Sequence, residues 1–127
     1  MWFRTELGSE RSTCYRSGSL FHFYFAKREN AAVFIGHSTV PVRLAEQNFL
    51  TGIFCLKRLF ILKRHKAPGV PLPDLPPLNF ILISHGHLDH MDLKTLNHFP
   101  RNLPVVLPDK LQGYLNNLGF SDVRALS

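Results

Sequence analysis

Phe80-Ile81-Leu82-Ile83-Ser84-His85-Gly86-His87-Leu88-Asp89-His90 joins four consecutive apolar residues to a turn that carries three histidines and an aspartate. An uninterrupted apolar run of this length, entered from Asn79, reads as a strand buried in a sheet, with the polar turn leaving its C-terminal end. Imidazoles and carboxylates are the ligands that borderline divalent ions accept, and His85, His87, Asp89 and His90 place four of them on one short loop. Gly86 frees the backbone between the first two histidines to aim them differently. The competing reading is a polar surface turn that happens to be rich in histidine. The chain has only 7 histidines in 127 residues, so a cluster this dense is poorly explained by chance, and the stretch predicts a metal site at the end of a buried strand.

Downstream of the motif, Asp92 is placed to cap a short helix from Leu93 to about His98, with Pro100 stopping it. His98 has no companion ligands in sequence and reads as a surface residue. Pro104 to Leu107 reads as a strand, and Pro108-Asp109 as the opening of a helix to Leu118 whose buried face is Leu111, Leu115 and Leu118. Gly119 then ends that helix, and Asp122 to Leu126 begins a further strand. From residue 79 onward the pattern is strand, helix, strand, helix, strand, which is an α/β arrangement.

Upstream, residues 1 to 19 are polar and turn-forming and predict a loosely ordered lead-in to a domain over residues 20 to 127. Leu20 to Phe25 is dense in aromatic strand formers and reads as a first strand, Ala31 to Ile35 as a second, Thr39 to Leu44 as a third and Gln47 to Thr51 as a fourth. His22 lies within the first run and reads as a packed or edge residue. The short spacers predict an antiparallel meander, in which Pro41 implies an edge position or a bulge because it has no N–H to donate. Ile53 to Lys66 mixes apolar blocks with Lys57-Arg58 and Lys63-Arg64-His65-Lys66. No amphipathic face emerges, and the segment reads as a basic loop or short helix. Pro68, Pro71, Pro73, Pro76 and Pro77 make the following piece an extended connector.

His85, His87, Asp89 and His90, directly after a buried strand, resemble the His-x-His-x-Asp-His signature of the metallo-β-lactamase superfamily. Gly36-His37-Ser38-Thr39, Asn48-Phe49-Leu50-Thr51 and the Leu75-Pro76-Pro77-Leu78 run are similar to elements of the branch that holds N-acylphosphatidylethanolamine phospholipase D and the ascorbate-phosphate lactonases. That branch follows the threonine with Asp-Pro, whereas this chain has Gly52-Ile53, which removes a carboxylate near the expected site. His37 is open between a role in lining the site behind the ligands and that of an ordinary polar turn residue.

The resemblance implies the N-terminal half of a four-layer αββα sandwich, a meander followed by βαβαβ. It implies two zinc ions, with manganese an alternative, His85 and His87 binding the first and Asp89 and His90 the second. Asp89 would also orient the nucleophile, a metal-bound hydroxide attacking an ester, lactone or phosphodiester. After His90 the chain offers His98, Asp92, Asp109 and Asp122, none in the context of the family's later ligands. The expectation is therefore a truncated hydrolase, inactive alone. The rival is a non-catalytic remnant that serves as an interaction module.

Composition limits the partners. Fifteen Lys and Arg against nine Asp and Glu give a charge of +6, which favours anionic small molecules or lipids, and the basic segment 57–66 is a candidate for peripheral membrane contact. The charge lacks the interleaved aromatics of a nucleic-acid stacking platform, so a nucleic-acid-processing role is the weakest alternative. Cys14 and Cys55 are too isolated for a disulfide framework or a cysteine metal site. With no leader pattern and no apolar run of roughly 20 residues, the expectation is a cytoplasmic protein. An open apolar sheet face would need a dimer or another partner to cover it.

Overall fold

A computed structural model describes residues 25, 27, 29–36, 38–53, 58–59, 62–63, 70, 72–87 and 90–127. The expected lead-in over 1–19, His22, His37 and Asp89 lie outside the described residues.

The meander forms as the short apolar runs predict. Strands β1 (Ala31–Ala32), β2 (Val40–Leu44) and β3 (Gln47–Thr51) pair antiparallel, with Ala32 opposite Val42 and Val42 opposite Phe49. β2 is not an edge strand, contrary to the expectation from Pro41. Pro41 directs its carbonyl toward Val33, whose N–H donates to it at 3.1 Å, so its nitrogen also faces the side where β1 has already ended. The missing donor thus breaks no bond to β3. Ala45 and Glu46 connect β2 to β3 with φ of 46° and 65°, the left-handed pair that a type I′ hairpin turn requires.

Two expectations in this half are corrected. Phe25, within the run read as a first strand, is helical, and it is buried with Ala31, Val33, Ile35 and Val70 in a small apolar cluster. The rest of the run read as that strand, residues 20–24, lies outside the described residues. The basic segment is neither loop nor short helix where it is described: β4 (Arg58–Leu59) and β5 (Leu62–Lys63) pair antiparallel as a separate two-stranded ribbon. A ribbon satisfies its backbone without needing one apolar stripe, which this sequence lacks.

β6 (Phe80–Leu82) lies between β3 and β7 (Val105–Pro108) and is parallel to both, and β8 (Val123–Leu126) continues the parallel sheet beyond β7. The six strands run in the order β1-β2-β3-β6-β7-β8, a mixed α/β sheet with little helix. Asn48 and Asn79 pin the register of β3 on β6. The Asn48 N–H donates to the Asn79 side chain at 2.8 Å and the Asn79 N–H to the Asn48 carbonyl at 2.7 Å. Of the Pro-rich connector, Pro68 and Pro71 lie outside the described residues, and in the part that is described a 3₁₀ turn at Leu72–Asp74 interrupts the expected extended run.

The row Leu50, Ile81, Val105 crosses three parallel strands in register and is fully buried. Met91, Leu96, Leu103 and Leu115 pack over it from the loops and helices on that face. The alternate row, Thr51, Leu82 and Val106, is only half-buried, and so are the stacked rings of Phe49 and Phe80, 4.7 Å apart. The apolar run of β6 is thus covered on one face and partly open on the other.

Helix α1 (Leu93–Leu96) is shorter than expected. Its cap is as predicted: the buried Asp92 carboxylate accepts from the N–H groups of Lys94 and Thr95, both at 3.2 Å, and from the Thr95 hydroxyl at 2.6 Å. The second expected helix is a 3₁₀ segment, Gln112–Leu118, and Pro108 ends β7 instead of opening that helix. Only Leu115 of this segment is fully covered, so little burial holds the turn to α geometry. Gly119 closes it at φ 74°.

Two outcomes follow for stability. Asp92→Ala removes an N-cap and the bond that the Thr95 hydroxyl donates to it, so thermal or urea unfolding should report a loss of about 1–2 kcal/mol. Ala45→Asn combined with Glu46→Gly relieves two left-handed non-glycine residues and should raise stability by about 1 kcal/mol in the same measurement.

Candidate metal centre

The motif loop begins where β6 ends, and parallel pairing puts the C-terminal ends of β3, β6 and β7 at one edge of the sheet. This is the edge at which open α/β sheets place their ligands. Ile83 is buried and its N–H donates to the Val106 carbonyl at 2.8 Å, which anchors the loop at its start. Met91, also buried, anchors its return. Between these two anchors the chain turns tightly: the N–H groups of His90 and Met91 both donate to the His87 carbonyl, at 2.9 and 2.8 Å.

That turn gathers the three histidines. The rings of His85 and His90 lie 4.0 Å apart between centroids, tilted by 43°, and His87 meets His85 edge-on at 4.8 Å. His85 and His90 are half-buried and His87 is exposed, so the cluster faces outward from the sheet edge. The Ser84 hydroxyl lies 2.9 Å from His85 Nδ1. In the tautomer where Nδ1–H donates to Ser84, Nε2 keeps its lone pair for an ion.

The donor set suits a divalent transition ion in its chemistry: neutral imidazoles ligate zinc and iron well, while manganese favours carboxylate oxygens such as the one Asp89 offers. Among the described residues, no three His, Cys, Asp or Glu side chains are disposed around one ion position. An ion bound at these histidines would need donors beyond the described set as well. His98 takes no part: it is exposed, and its Nδ1 is 2.8 Å from the Lys94 carbonyl of its own helix.

Two neighbours that sequence reasoning did not assign shape the loop. A Cβ on Gly86 would lie 2.9 Å from the Leu111 side chain, so the turn after β7 packs directly on the motif. Ile53, just past β3, forms a parallel bridge with Met91. Its N–H donates to the His90 carbonyl at 3.0 Å and its carbonyl accepts from the Asp92 N–H at 3.0 Å. The only sequence signal for this contact was the glycine at position 52, read as a departure from a pattern.

A family profile described as a beta-lactamase superfamily domain matches residues 55–125, more than half of the chain. The chain belongs to the metallo-β-lactamase superfamily. It is 31% identical over 97 residues to N-acyl-phosphatidylethanolamine-hydrolyzing phospholipase D 1 of Caenorhabditis elegans, covering 70% of this chain and 27% of that relative. The chain therefore spans about a quarter of the length of the curated relative it matches.

Solved structures agree on the fold. An isothiocyanate hydrolase from Delia radicum gut bacteria superposes with a TM-score of 0.63 at 22% identity, over 76% of this chain and 41% of that one. CmlA, a diiron beta-hydroxylase from Streptomyces venezuelae, gives 0.53 at 28% identity, over 78% of this chain and 21% of that one. Each superposition covers about three quarters of this chain, so what the two structures share with it is the fold.

The packing of Leu111 on Gly86 is open to test. Gly86→Ala should cost about 1 kcal/mol because the Leu111 side chain must move aside. In a double-mutant cycle with Leu111→Ala the two losses should sum to more than the measured double-mutant loss, by at least about 0.5 kcal/mol.

Proposed function

We propose that this chain carries the first ligand loop of a metal-dependent hydrolase acting on an ester, lactone or phosphodiester, with phosphodiesters of lipids as the favoured class. The observation that carries the reading is the contact of the His85, His87 and His90 rings at the C-terminal edge of the parallel strands. The similarity to a phospholipase D that hydrolyses N-acyl-phosphatidylethanolamine supports the substrate class. A net charge of +6 supports attraction of an anionic headgroup, and the basic ribbon of β4 and β5 is the proposed surface for it.

His85 and His87 are assigned to one ion and His90 with Asp89 to a second. Zinc is the proposed metal, with manganese as an alternative, and the similarity to the diiron hydroxylase CmlA adds iron. A bound ion would supply Lewis acidity and bring a water's pKa toward neutrality. Ser84 holds His85 in the ligating tautomer, and Asp89 orients the attacking water. In this reading the four motif residues are part of a larger ligand set, and catalysis requires the remaining donors as well. A cytoplasmic setting belongs to the same proposal.

The half-buried face bearing Phe49, Phe80, Leu82 and Val106 supports a second reading, an interaction module without catalysis. Metal analysis of the purified 127-residue chain separates the two. The hydrolase reading expects zinc, manganese or iron to bind, with at least tenfold weaker binding in His87→Ala and His90→Ala and no change in His98→Ala. A chain that binds no metal and shows no phosphodiesterase or lactonase activity when joined to the missing ligands would sink it.

A further inference from the structure

Gly52 and Ile53 carry no ligand chemistry, yet separate constraints meet on them. Gly52 has φ 62°, and a Cβ built there would lie 1.8 Å from the Ser38 carbonyl oxygen, so the backbone admits no side chain. Its own carbonyl accepts the hydroxyl of the buried Thr39. One residue later the Ile53 side chain is fully buried, while its N–H and carbonyl hold His90 and Asp92 on the two sides of Met91.

We infer that the Gly52–Ile53 step is a positioning clamp that sets the backbone of His90 and ties the motif loop to the Gly36–Thr39 turn. That turn is closed by the Thr39 N–H on the Gly36 carbonyl at 3.0 Å, and it packs on Gly52 through Ser38. A continuous path of backbone contacts therefore runs from the Gly-His-Ser-Thr element through Gly52 and Ile53 to the last histidine of the motif. A proline at position 53 has no N–H for the His90 carbonyl, and an aspartate at position 52 would drive its Cβ into Ser38. The step therefore requires an N–H at position 53 and no side chain at position 52. Only the metal-binding consequence rests on the hydrolase reading.

The test uses the 127-residue chain. Hydrogen exchange should show the Ile53 and Asp92 amides as protected as that of Val105, which lies inside the sheet; exchange at exposed-loop rates would overturn the clamp. In metal-free protein, Ile53→Pro should shift the His90 ring signals in a ¹H–¹⁵N imidazole spectrum while leaving those of His98 in place, and Ile53→Val, which keeps both backbone bonds, should leave both. Zinc titration should give at least tenfold weaker binding for Ile53→Pro and unchanged binding for Ile53→Val. Unmoved His90 signals in folded Ile53→Pro, or equal effects of the two variants, would refute the clamp. If Ile53→Pro does not fold, wild-type exchange decides; if no form binds zinc, the metal reading fails while exchange and the His90 signals still decide the clamp.

Discussion

Leu50, Ile81 and Val105 stand in one row across three adjacent parallel strands, and the removal of that row from water is the interaction on which the rest of the structure depends. Each fully buried aliphatic side chain contributes roughly 1.5–3 kcal/mol, and the contacts of Met91, Leu96 and Leu115 with the same row dock the loops over it. Because the strands are parallel, the burial also has a direction. It brings the ends of β3, β6 and β7 to one edge, so that Gly52, the histidine loop and Leu111 become neighbours although they are far apart in sequence.

The two faces of the sheet are unequal. One is sealed by α1, the 3₁₀ segment and the loops around them, while Phe49, Phe80, Leu82 and Val106 on the other are half-buried. Strand alternation makes this unavoidable once Ile81 points inward, since its neighbours must then point to the opposite side. The stacking of Phe49 on Phe80 covers part of that surface within the chain itself. The same asymmetry places the site: the loop after β6 rises from the edge between a sealed and a half-open face, where side chains reach solvent without losing a rigid base.

Much of this was legible where the physics is local. Asp92 caps α1 because a carboxylate two and three residues before unpaired N–H groups can reach them, and Gly119 ends the 3₁₀ segment because only the left-handed region continues the chain there. The hairpin of β2 and β3 and the strand before the histidines were legible from apolar runs and short spacers. Phe25 was misread because aromatic content signals burial more reliably than it signals backbone type. Gln112–Leu118 winds as a 3₁₀ segment because a single buried leucine exerts little demand for α geometry. The basic ribbon went unseen because paired two-residue strands leave almost no periodic trace.

The sequence by itself determined the chemistry on offer, three imidazoles and a carboxylate on one turn after an apolar strand, and with it the superfamily. Ligand types and their spacing are carried by contiguous residues, so no fold is needed to read them. Only the tertiary structure decided what holds that turn. The bonds of Ile53 to His90 and Asp92 and the seat of Gly52 against Ser38 join segments that local propensity treats as unrelated. Backbone hydrogen bonds between distant segments depend on the sheet having formed, and they leave no mark on side-chain identity except where, as at Gly52, there is no room for one.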